Sequence, residues 1–270
     1  MIIVEPIATL PRGVDHATAT NVAPLCCRPG DVDHCGRTIA PTVEIAPAVH
    51  QVRMLGADAF LLVEDRLTLI DAGMVGSRIM LERYLRRIGR RLDELDRIIC
   101  THGHPDHIGG IQDLVRGRGD VRVLVHPADL VGLRLPLREA LARTSERSVR
   151  RGRLIQYLTR APQDCTPIDD GALLPMLGGL RVIHTPGHTP GSICLYVERL
   201  RLLFTGDVLQ VIRGRLTYAS TFFSHDHAEA RASVERLAAL DVDAIALSHY
   251  PPWTDDPNGA LRALAQAAAS

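Results

Sequence analysis

From residue 48 onward, apolar residues gather in short β-rich runs separated by turn signals. HQVRML, AFLLVED and LTLIDAG read as hairpin strands. Residues 76–90 (GSRIMLERYLRRIGR) change period and place Ile79, Leu81, Tyr84, Leu85 and Ile88 near helical spacing. LDRIICTH predicts a buried strand that stops at a His, followed by a helix from about 106 to 116 and a strand, VRVLVH. Residues 127–160 read as helical, broken near Pro136 and rich in Arg, and Pro162 and Pro167 mark a loop. The second half repeats the logic. LRVIHTPG, SICLYVE and RLLFTGDVL are three closely spaced strands, HAEARASVERLAAL is a helix with Asp226 as its N-cap, DAIALSH is a strand ending at a His, and GALRALAQAAA is a terminal helix. Strands followed by helices, twice over, predict two packed mixed β-sheets flanked by helices, an α/β four-layer αββα sandwich.

Residues 1–45 do not share this pattern. Pro6, Pro11, Pro24, Pro29 and Pro41 are spread through them, so they read as an irregular N-terminal extension that wraps the domain or adds an edge strand, with residues 46–270 as the main domain. Within that domain, 127–165 reads as a helical insertion placed to form a lid or pocket wall.

Composition narrows the function by exclusion. The 270 residues carry 31 basic and 31 acidic side chains, so nothing in the balance advertises nucleic acid or a membrane surface. No lysine is present, which excludes Schiff-base catalysis through lysine and any lysine-dependent phosphate loop. The six cysteines lack the spacing of a disulfide framework. Cys26-Cys27 with His34-Cys35 raises an extra zinc site, but the spacing fits no standard finger. The first residues, MIIVEPIATLPRG, lack a basic region and a long apolar stretch, and no window reaches the roughly 18 apolar residues of a span. The expectation is a cytoplasmic protein acting on a small-molecule substrate, without nucleic acid or membrane as partner, and with a homodimer left open. The Arg-rich stretches at 83–97 and 134–153 are interleaved with acids and read as solvated helix faces.

Chemistry concentrates at Thr101-His102-Gly103-His104-Pro105-Asp106-His107. His102 and His104 are two apart, so an extended backbone points both the same way, while Asp106 and His107 open the following helix. One strand-to-helix junction can thus supply ligands to two adjacent metal ions. Imidazole with carboxylate suits zinc, with iron or manganese also acceptable. His225-Asp226-His227 imitates such a cluster but reads as a helix start, and His184, four residues before His188, reads as a structural residue or one that supports the ligands from behind.

The stretch resembles the His-x-His-x-Asp-His signature of the metallo-β-lactamase superfamily. Further motifs resemble that family in order: LTLIDAG with Asp71, TPGHTPGS with His188, LLFTGDVL with Asp207 and LSHY with His249. The resemblance implies that His102, His104 and His188 hold one metal, that Asp106, His107 and His249 hold a second, and that Asp207 bridges them. Asp71 would support the site from behind. It implies two Zn²⁺ ions and a hydrolase in which zinc-bound hydroxide attacks a small ester, thioester or lactone, with Asp106 as the catalytic group that orients it and passes a proton to the leaving group.

Departures from known branches sharpen this. Asp207 is generally lacking in true β-lactamases. Lactonases of the well-known type carry a Tyr where this chain has Gln210, leaving Tyr218 or Tyr250 as substitutes. The short segment after His249 weighs against the glutathione-binding branch. The alternatives are an oxidoreductase resembling the mononuclear iron persulfide dioxygenases and, further off, a phosphodiesterase or nuclease.

Overall fold

The computed structural model describes residues 43–134, 165–219 and 224–269. Residues 26–35, with the proposed Cys/His site, and most of the 127–165 insertion lie outside the described residues. Strands β1 (Val43–Ala46), β2 (Val49–Val52), β3 (Ala59–Val63) and β4 (Leu67–Ile70) make an antiparallel meander. Strands β5 (Leu95–Ile99), β6 (Arg122–Val125) and β7 (Cys165–Pro167) extend it in parallel, giving seven strands in chain order. A second sheet contains β8 (Leu173–Leu174), β9 (Leu180–His184), β10 (Ile193–Val197), β11 (Leu202–Phe204) and β14 (Ala244–Ala246), in the order β14-β11-β10-β9-β8. Its β11–β14 pair is parallel and the others are antiparallel. A hairpin of β12 (Leu209–Ile212) and β13 (Arg215–Tyr218) stands between β11 and β14 in the chain.

Six α-helices fall within the described residues: α1 (Arg78–Arg87), α2 (Pro105–Ile108), α3 (Ile111–Leu114), α4 (Pro127–Arg134), α5 (His227–Ala238) and α6 (Pro257–Ala269). None among the described residues is long and apolar enough to cross a membrane.

The layers follow from alternation along the strands. In β3, Phe60 and Leu62 face the second sheet, where they join Leu195 and Phe204; Ala59 and Leu61 face the opposite way, toward Leu81 and Leu85 of α1. Burial on both faces explains why AFLLV reads as an unbroken apolar run. The rings of Phe60 and Phe204 meet edge-on across the inter-sheet layer, with centroids 5.1 Å apart. On the far side of the second sheet, Cys194, Tyr196 and Leu203 pack with Val234 and Leu237 of α5 and Leu261 of α6. The result is the four-layer αββα sandwich expected from the sequence.

Details differ from the sequence reading. Ile79 was expected on the core face of α1 but is 65% exposed; Leu81, Tyr84, Leu85 and Ile88 define the stripe, and Ile79 falls outside their 3–4 spacing. The helix expected over 106–116 is two short helices broken at Gly109-Gly110. There the chain presses onto the 72–75 loop: the Gly110 amide donates to the Gly73 carbonyl, and a Cβ on Gly110 would collide with the Ala72 carbonyl oxygen. RLLFTGDVL is not one continuous strand: β11 stops at Phe204, the chain turns at Gly206, whose φ is +51°, and β12 begins only at Leu209. Pro167, expected in a loop, closes the edge strand β7, a position that tolerates a missing N–H donor.

Candidate metal centre

Every member of the predicted ligand set sits where a strand has just ended. His102 and His104 lie in the loop after β5, with Asp106 and His107 in the α2 turn that follows; His188, Asp207 and His249 follow β9, β11 and β14. Pro105 at the first position of α2 presets its dihedral angle, and His104 before it is extended. The two-apart histidines therefore point together while the next turn aims Asp106 and His107 back at them.

All seven residues converge as two groups. In the first, His104 Nδ1 lies 3.1 Å from His102 Nε2 and 2.9 Å from His188 Nε2, and Asp207 Oδ2 lies 3.8 and 3.6 Å from those two Nε2 atoms. In the second, His107 Nε2 is 3.9 Å from Asp106 Oδ2 and 3.2 Å from Asp207 Oδ1. His249 Nε2 is 3.5 Å from Asp106 Oδ2 and 3.3 Å from Asp207 Oδ1. Asp207 thus gives one oxygen to each group.

These donors fit a cation. Zinc–nitrogen and zinc–oxygen bonds of about 2.0–2.1 Å place neighbouring ligands of a tetrahedral ion roughly 3.3 Å apart, close to the observed spacings. His107 Nε2 and Asp207 Oδ1 are buried without a hydrogen-bond partner, an arrangement that is costly unless something else satisfies them. Each group takes two residues from the β5–α2 segment of the first sheet and two from loops of the second.

Electrostatics divide the groups. Burial, reinforced by neighbouring imidazoles, holds His102 well below the ordinary histidine range, lowers His104 and brings His188 to about 3. Those rings are neutral and offer lone pairs. Burial also works to lower His107, but the Asp207 and Asp71 carboxylates outweigh it and raise this group well above its usual value. Asp207 similarly raises His249 against the effect of burial. Burial opposes the charge on Asp207, yet His107 and His249 hold its carboxyl well below the usual range. A divalent ion entering the second group must displace those imidazole protons. In protein stripped with a chelator, metal affinity there is expected to fall as pH drops, with proton competition extending above the ordinary imidazole pKa. Calorimetric titration between about pH 6 and 8, in buffers of different ionisation heat, checks this; uptake with no proton release would contradict it.

Behind the ligands, Asp71 is fully buried at a left-handed φ of +61°. Its Oδ2 lies 2.8 Å from His107 Nδ1 and accepts from the Thr101 hydroxyl at 2.8 Å, while Oδ1 accepts from the Thr101 amide. Thr101 Oγ1 is in turn 3.1 Å from His102 Nδ1. This fixes the tautomers that turn Nε2 of both rings toward the site. Gly206 packs on Thr101, and a Cβ there would stand 2.6 Å from the hydroxyl oxygen.

Other candidates fall elsewhere. The Tyr218 hydroxyl donates to the Leu264 carbonyl in α6, so Tyr218 does not take the tyrosine position that Gln210 leaves unfilled; the Tyr250 ring is half-buried against the outer core. Asp226 caps α5, accepting from the Ala228 and Glu229 amides, while His225 and His227 are exposed, as the helix-start reading expects. His184 stacks on His126 and bonds the Pro190 carbonyl oxygen. Burial pushes the Cys194 thiol up to about 12 and Cys100 well above its usual value, so neither is a thiolate nucleophile. Sequence reasoning missed Asp129, a buried carboxylate in the first turn of α4 that bonds both histidine-bearing loops. HPAD after a strand is its only local signal, and it looks like an ordinary helix start.

Known proteins share much of this sequence and its fold. The sequence profile described as the metallo-beta-lactamase superfamily matches residues 53–249. Among curated proteins, the chain is similar to the probable metallo-hydrolase YflN of Bacillus subtilis, 28% identical over 231 residues, 78% of this chain and 87% of that one. It is also similar to the acyl-coenzyme A thioesterase MBLAC2 of Gallus gallus, 36% identical over 121 residues, 41% of this chain and 40% of that one. Among solved structures, the metallo-beta-lactamase family protein TTHA1429 from Thermus thermophilus superposes with a TM-score of 0.65 at 25% identity, covering 83% of this chain and 79% of that one.

Proposed function

This chain belongs to the metallo-β-lactamase superfamily, and on that premise we propose that it is a hydrolase that holds one zinc ion in each cluster and cleaves a small carboxylic ester, thioester or lactone. The observation that carries the reading is the pair of four-residue groups joined through the two oxygens of Asp207. His102, His104 and His188 would hold one ion, Asp106, His107 and His249 the other. Zinc bound there supplies Lewis acidity toward an acyl oxygen and lowers the pKa of water to about 7.

The protein's own groups do the rest. Asp71 and Thr101 keep His107 and His102 in the tautomers that present Nε2. Asp106 is the ligand carboxylate with access to solvent, its side chain 32% exposed against 17% for Asp207. It is therefore the group placed to hold a proton at Oδ1, the oxygen turned away from the cluster, and pass it to a departing alkoxide or thiolate. The acyl preference rests on what lies beside Asp106. A Cβ on Gly56 would meet the Asp106 Cβ and the Met74 side chain at 2.6 and 2.9 Å, so Met74 borders the site. Met74, Leu55 and Val75 are 39, 44 and 60% exposed, an apolar margin suited to an acyl group rather than a phosphodiester backbone. The thioesterase similarity points the same way.

Elemental analysis of purified protein, followed by assays on acyl thioesters, lactones and phosphodiesters, tests the reading. Two zincs per chain with acyl hydrolysis is the expected result. A single iron with oxygen uptake on glutathione persulfide, or turnover confined to phosphodiesters, would overturn it.

A further inference from the structure

From its bonding, we infer that Asp129 is the positioning residue that holds the first cluster in shape; the inference rests on the metal-binding reading above and deepens it. The side chain is 6% exposed, and both oxygens are engaged. Oδ2 accepts from the Gly103 amide at 2.7 Å and from the Thr189 hydroxyl at 2.8 Å; Oδ1 accepts from the Gly191 amide at 2.7 Å. Gly103 lies between His102 and His104, and Thr189 follows His188 directly. One carboxylate on α4 thus gathers the two loops that bring three imidazoles together, from segments 26, 60 and 62 residues away in the chain.

The surroundings are shaped for this group. A Cβ on Gly191 would stand 2.5 Å from the Asp129 backbone nitrogen, and one on Gly103 would stand 3.3 Å from Oδ2, so glycine lets both amides reach the carboxylate. Thr189 is locked as well: its amide donates to Ser192 Oγ at 2.9 Å, and the two hydroxyls are 2.8 Å apart. Short bonds from buried amides to a carboxylate are among the stronger hydrogen bonds. Asp71 serves as the counterpart for the second cluster, since its direct imidazole contact is His107. Asp71 holds His107 directly and reaches His102 only through Thr101, whereas Asp129 ties together the loops that carry His102, His104 and His188.

This division predicts a site-selective effect. Zinc competition with a chromogenic chelator, together with cobalt titration read by visible absorption, is carried out on wild type, Asp129→Asn and Thr189→Val, with His188→Ala and His249→Ala marking the two steps. Asp129→Asn is expected to weaken by about 10–100-fold the step that His188→Ala abolishes, leaving the step lost in His249→Ala nearly unchanged. Thr189→Val removes one donor at similar volume and is expected to weaken the same step by less. Circular dichroism confirms folding, and Thr189→Val carries the test if Asp129→Asn does not fold. Equal weakening of both steps, or two wild-type steps in the folded variants, would overturn the role of Asp129 while leaving the metal reading intact. A wild-type protein that binds neither zinc nor cobalt would instead end the metal reading itself.

Discussion

Replacing Asp207 with Ala is expected to lower kcat/KM by about 10³-fold or more and to reduce bound metal at both clusters together. Its Oδ2 faces His102 and His188, and its Oδ1 faces His107 and His249. On the proposed two-ion reading, removing it would take a ligand from each ion and the negative charge between them. A metal centre's stabilisation of developing charge is worth several kcal/mol, and about 4 kcal/mol corresponds to a factor of about 10³. His249→Ala is the contrasting variant, since it strips one donor from the second cluster alone. Inductively coupled plasma measurement of metal per chain, beside steady-state kinetics, separates the two. An Asp207→Ala protein that retained two metals and near-normal turnover would remove the shared carboxylate from the mechanism.

The largest stability effect is expected at Phe204. Phe204→Ala should destabilise the protein by about 3–5 kcal/mol, a large share of the roughly 5–15 kcal/mol that keeps a domain folded. The ring is fully buried between the sheets and meets Phe60 edge-on. Its loss leaves a cavity that neither sheet can close without moving its neighbour. Phe204→Leu should cost less, because most of the volume remains. Urea denaturation of both variants measures the difference. A loss below about 1 kcal/mol in the alanine variant would mean that the layer can collapse. Phe204 ends β11, three residues before Asp207, so this damage should also reach the metal centre.

Some of this was readable from the chain. The histidine-rich loop stands out because three imidazoles and a carboxylate interrupt an apolar frame, and the runs around Phe60 and Leu195 mark strands, although their burial on both faces emerges only from the fold. The order of the motifs led to His188, Asp207 and His249, and the fold brings all three to the loop. What was hidden depends on distance or on steric room. Asp129 has partners 26 to 62 residues away, and nothing near it in sequence distinguishes it from a helix-opening aspartate. The break at Gly109-Gly110 exists because the 72–75 loop lies against it, a neighbour that periodicity cannot supply. The strands β7 and β8, only three and two residues long, fall below the length at which alternation is informative.

Each cluster draws half its donors from one sheet's loops and half from the other's, across the open end of the sandwich. The Phe60–Phe204 layer joins the sheets through dispersion and exclusion of water, forces that act wherever surfaces meet. Metal ions at that end would work as rivets instead, few, directional and removable. In such a protein the same cations that would serve the chemistry would also clamp the halves of the fold, so scarcity of metal would slacken the architecture first between the loops that carry the ligands.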